Sequence, residues 1–84
     1  MLTAKIYVTL KPDVLDAQGD TVRSALETLG FQGLTDVRVG KFMVLTLNSP
    51  TKEQAAAQVD EMCKRLLANP VIENYRFEVE GTAG

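Results

Sequence analysis

The residues able to do chemistry are few. Cys63 is the only cysteine, and the 84 residues include no histidine. The commonest general base, the usual partner of a nucleophile and the commonest metal ligand are therefore missing. Cys63 falls in an apolar helical stripe with no histidine to lower its pKa from about 8.5, so it reads as a buried, inert thiol. Asp13 and Asp16 bracket a loop, and Glu73, Glu78 and Glu80 cluster near the C-terminus. Paired carboxylates can share a proton or hold a cation. Here Asp16 has a helix-capping role open to it, and Glu78 and Glu80 lie on a polar strand face. Gln18-Gly19 and Gly40-Lys41 are the candidates for phosphate handling, and neither forms a P-loop. The expectation is a chain with no catalytic residue, no cofactor site and no metal site.

The elements that would position these groups follow from periodicity. Leu2, Ala4, Ile6, Val8 and Leu10 alternate with Thr3, Lys5, Tyr7 and Thr9, which predicts a half-buried strand over 2–10. Lys11-Pro12-Asp13 ends it. Asp16 is placed to cap a helix running to about Leu29, with Val22, Ala25, Leu26 and Leu29 as its apolar stripe and Gly30 as its C-terminal stop. Strands over Thr35–Val39 and Phe42–Leu47 read as a hairpin around Gly40-Lys41, with glycine first in a type II′ turn. In that register Val37 and Val39 face Val44 and Phe42, while Met43, Leu45 and Leu47 line the opposite face. Both faces of Phe42–Leu47 are apolar, so one is expected to meet another chain.

Ser49-Pro50 opens a second helix, with Thr51 and Gln54 offering a rival capping box slightly later. Its stripe is Ala55, Val59, Met62, Cys63 and Leu66, and Asn69-Pro70 ends it. The last strand is expected over Val71–Glu80, with Tyr75, Phe77 and Val79 on one side. Residues 1–80 thus form a single domain and 81–84 a flexible tail. The order β-α-β-β-α-β defines an α+β, two-layer sandwich: an antiparallel sheet with two helices on one face, the sheet open to extension across a dimer.

Composition narrows the function classes. Nine Lys+Arg against eleven Asp+Glu give a net charge of −2, which provides no electrostatic draw toward nucleic acid or an anionic membrane. The same element order occurs in RNA-recognition modules, but Lys41–Thr46 carries one aromatic where those modules need stacking residues on a basic surface. One cysteine, no signal-peptide layout and no long apolar run point to a cytoplasmic protein.

Several stretches resemble one family. Lys11 with Val14-Leu15-Asp16-Ala17-Gln18-Gly19 is similar to the family's approach to its first helix, where proline often replaces Ala17. Val37-Arg38-Val39-Gly40-Lys41 resembles its hairpin, and Glu61 through Tyr75 its second-helix signature. The family is PurS, the small subunit of phosphoribosylformylglycinamidine (FGAM) synthase. The resemblance implies a non-catalytic subunit of a ligase of purine biosynthesis. Its partners would be itself, as a dimer or higher oligomer, a large ATP-dependent synthetase subunit and a glutaminase subunit, between which it helps ammonia pass. The family pattern supplies no catalytic residue. Arg38 and Lys41 are hard to explain by folding alone and are candidate partner contacts, with Met43, Leu45 and Leu47. The alternative is a regulatory module that binds a small ligand between paired domains.

Overall fold

The alternating N-terminal segment becomes the centre of the sheet. In the computed structural model, which describes residues 1–81, β1 (Leu2–Leu10) pairs antiparallel with β2 (Gly40–Leu47) and β3 (Glu73–Gly81) in the order β2-β1-β3. With a strand on each side and a helix over one face, Ala4, Ile6 and Val8 are 0, 0 and 1% exposed. The α+β class, an open antiparallel sheet with two helices, is as expected.

The helix on the sheet is α2 (Lys52–Met62). Of the two candidate starts, Thr51 is the cap, its hydroxyl accepting from the Gln54 amide at 3.2 Å. Ala55, Val59 and Cys63 pack fully buried against β1, as their spacing predicts, and Met43, Leu45, Leu47, Phe77 and Val79 complete this layer. Met62 and Leu66 correct the expected stripe, being 37% and 83% exposed. For Leu66 the cause is a π-helical turn over Cys63–Leu67, where the Ala68 amide bonds back five residues to the Cys63 carbonyl at 3.0 Å. The extra residue rotates Leu66 outward and leaves Leu67 half-buried. Asn69 then organises a turn by accepting from the Val71 amide at 3.1 Å, which delays β3 to Glu73. Gly81, assigned to the tail from sequence, closes β3, and the rest of that tail lies outside the described residues.

The stretch between α1 (Ala17–Thr28) and β2 departs from expectation. Residues 31–39 have no regular secondary structure, so the segment in the place of the second strand runs free of this chain's sheet. The expected turn at Gly40-Lys41 does not form; Gly40 starts β2 opposite Thr9, and its φ is not positive. Glycine is needed there because a Cβ would run into the Val8 carbonyl oxygen.

The first helix ends as predicted. Gly30, at φ 99°, donates to the Glu27 carbonyl at 3.0 Å, and Phe31 donates to that of Leu26 at 3.1 Å. The expected packing of α1 on the sheet is corrected, however. Gly19 is its one buried residue, and Val22 and Leu29 are 37% and 73% exposed. The helix and the irregular segment that returns from it form an arm, so the chain measures 50 × 28 × 15 Å with a radius of gyration of 16.5 Å. A compact chain of this length would have about 12 Å.

Candidate functional site

The base of the arm is clamped by one buried carboxylate. Asp16 accepts from the Gly19 amide at 2.8 Å, capping α1, and from the Val39 amide at 2.7 Å, gripping the returning leg. The Val39 and Gly19 bonds, with Arg38 nearby, hold the Asp16 carboxyl below the usual aspartate value despite burial. Arg38 donates from Nη2 to the carbonyls of Lys11 at 2.9 Å and Val14 at 2.7 Å, tying the same loop to the same leg. At Gly19 a Cβ would run into the Val37 carbonyl oxygen, so the two legs touch backbone to backbone. The expected partner contact Arg38 is thus engaged within its own chain. Its acceptors lie 27 and 24 residues away in the chain, which is why sequence reasoning missed this role.

The other sequence-derived candidates lie on the helix-covered face of β2. Lys41 reaches Glu73 at 3.7 Å with its side chain 60% exposed. Met43, Leu45 and Leu47 are half-buried against the core. Beside them Leu45, Met62, Leu66 and Leu67, with Gln58 and Arg65, line an open groove of about 450 Å³. On a two-layer sheet a second helix would lie beside α2 at this place.

Among the described residues no helix covers the opposite face of the sheet. That face presents Phe42 and Val44, 57% and 54% exposed, beside Tyr7. Away from the arm, the Asp60 carboxylate has structural work. Asp60 accepts from the Tyr75 hydroxyl at 2.6 Å and pairs with Lys64 at 3.0 Å, fastening β3 to α2. The Tyr75 bond, then Lys64, lowers the Asp60 carboxyl, and Asp60 raises both the Tyr75 hydroxyl and the Lys64 amine. Burial pushes the Cys63 thiol up, away from the thiolate that reacts. Among the described residues no group of three or more His, Cys, Asp or Glu could hold a metal, and no helix is long and apolar enough to cross a membrane.

Fold and surface together define a small α+β chain with apolar side chains exposed on its arm, in its groove and on its open sheet face. Residues 3–81 match the family model PurS, described as phosphoribosylformylglycinamidine (FGAM) synthase. The chain belongs to the PurS family of FGAM synthase subunits, a ligase of purine biosynthesis. It is 51% identical over 80 residues to the PurS subunit of Synechocystis, covering 95% of this chain and 80% of that one. A solved structure of Bacillus subtilis PurS superposes with a TM-score of 0.87 at 47% identity, covering 96% of this chain and all of the other. A chain of a structure described as PurLQS from Thermotoga maritima does so at 0.84 and 28% identity, covering 95% and 99%.

Proposed function

We propose that this chain is the non-catalytic small subunit of FGAM synthase. It holds the glutaminase and synthetase subunits together and assists ammonia transfer in the ATP- and glutamine-dependent conversion of FGAR to FGAM in the cytoplasm. The observation that carries this reading is the likeness over nearly the whole chain to a chain in the structure of PurLQS from Thermotoga maritima. The absence of histidine from the sequence agrees with it. The chain needs no cofactor of its own, and the regulatory-module alternative would require saturable binding of a small ligand without the synthase partners. The test is reconstitution of synthesis with and without this chain, using glutamine and ammonium salt as alternative nitrogen sources.

Self-association belongs to the same reading. The arm exposes the stripe of Val22 and Leu29, and the sheet leaves a groove beside α2 where a helix would fit. An arm from a second copy supplies that helix. Light scattering at micromolar concentration should give at least twice the 9.2 kDa of the chain. Leu45→Glu puts an unpaired charge into the groove and should dissociate the oligomer or unfold the chain. A monomeric wild type, or a Leu45→Glu protein unchanged in mass and melting, would contradict it.

Cys63 should be dispensable for turnover. Cys63→Ala loses packing at a fully buried position, and stability should fall by about 1 kcal/mol. Denaturation midpoints and the turnover of the reconstituted enzyme measure the two effects separately. Lost turnover in a folded, assembled variant would assign the thiol a chemical role.

A further inference from the structure

The Val39 amide has two acceptors open to it, and they belong to different shapes of the chain. Here it donates to Asp16 Oδ2 at 2.7 Å, which holds the end of the returning leg at the start of α1. In a hairpin turning at Gly40-Lys41, Val39 would pair with Phe42 and donate to its carbonyl instead. A backbone N–H is one donor and serves one of these acceptors at a time. The second shape has room to form. β2 is an edge strand in the order β2-β1-β3, so among the described residues its outer side is free to take residues 35–39. Val37 and Val39 would then stand opposite Val44 and Phe42, both more than half exposed in the extended shape. The same reversal would bring α1 back over its own sheet, beside α2, where Leu45, Met62, Leu66 and Leu67 line the groove. The exposed stripe of Val22 and Leu29 can thus be buried by its own chain or by a second copy. Exchange of an identical element uses the same contacts in both forms, so a local preference at the hinge decides between them.

We propose that Asp16 is the lock on this hinge: by holding the Val39 amide it keeps the arm extended, so that α1 is buried in a second copy rather than in its own chain. This rests on the self-association reading above and adds what selects it. Arg38 reinforces the lock, tying the same leg to the Lys11 and Val14 carbonyls at 2.9 and 2.7 Å. Gly40 opposes the turn as well. It pairs with Thr9 as the first residue of β2 without positive φ, whereas a type II′ turn would require positive φ at that position. The two Asp16 oxygens divide the work. Oδ1 caps α1 through the Gly19 amide at 2.8 Å, and Oδ2 holds Val39, so the lock can be removed while the cap is kept.

Two substitutions make that separation. Asp16→Ser retains one capping oxygen and leaves none for Val39, while Asp16→Asn retains the cap and turns an amide N–H toward the Val39 N–H. Light scattering over a dilution series should show both variants dissociating at a concentration roughly tenfold or more above that of wild type. The monomer released should keep a folded far-UV circular dichroism spectrum, with a nuclear Overhauser contact between Val39 and Phe42. Cys63→Ala, weakened in the core with the lock intact, should dissociate where wild type does. If wild type self-associates and the Asp16 variants dissociate as it does, the lock is overturned while the self-association reading stands. An unfolded monomer, or a folded one without the Val39–Phe42 contact, overturns the lock too, because no closed shape then competes. Equal weakening by Cys63→Ala reduces Asp16 to general stability and has the same consequence. A monomeric wild type overturns both readings.

Discussion

Omitting this chain from the reconstituted synthase should lower glutamine-dependent synthesis by roughly tenfold or more, while synthesis from ammonium salt falls far less. The two nitrogen sources differ in how ammonia reaches the synthetase. With glutamine it is released at one subunit and consumed at another, so a scaffold raises its effective concentration where it is used. With ammonium salt it arrives from bulk solvent, and holding the subunits together contributes little. A missing catalytic residue would depress both sources equally, which is the pattern that would refute the scaffold. Glutamine-dependent turnover unchanged without the chain would refute it as well. The chain alone should neither hydrolyse glutamine nor bind ATP, lacking histidine to activate a nucleophile and a P-loop to cradle phosphates.

The second large effect is expected at Gly19. Gly19→Ala drives a methyl group into the Val37 carbonyl oxygen, where neither backbone can yield without opening the arm. Overpacking of this kind costs about 1–3 kcal/mol, and separating the legs also lengthens the Asp16 bonds to Gly19 and Val39. Melting should fall by roughly 10–15 °C, measured at matched protein concentration because the oligomer shifts the midpoint. Gly30→Ala is the contrast. No atom lies within 4 Å of a Cβ there, so the strain at φ 99° is its only cost, about 1 kcal/mol. Equal losses in the two variants would contradict the close crossing.

The same clamp sets an acid limit. Its hydrogen bonds hold the folded Asp16 carboxyl below its unfolded value of about 3.9. The unfolded chain therefore takes up the proton first as pH falls. The stabilisation is complete above the unfolded value and is withdrawn as pH drops through the lower folded value. Asp16→Asn should flatten stability against pH in that window.

Where local chemistry and periodicity suffice, the sequence by itself determined the outcome. The alternation of Leu2–Leu10 specified β1 because a period of two puts one apolar set on one face, and a one-residue slip would turn that set outward. Asp16 and Gly30 bounded α1 because a cap needs only an amide three residues away and a residue free to take positive φ. The segments around Asp16 and from Glu61 to Tyr75 carried the family. What only the tertiary structure decided is where α1 goes and what surrounds β2. Its apolar stripe requires burial but does not say on which chain, and Val22 and Leu29 remain exposed in this one. Gly40 satisfies a turn or a close approach equally well in sequence, and the Val8 carbonyl, far away in the chain, chose the second. One π-helical turn rotated Leu66 outward, a change that 3.6-residue periodicity cannot register. Phe42, Tyr7 and Arg76 stand in one row only because strand pairing sets three distant residues side by side.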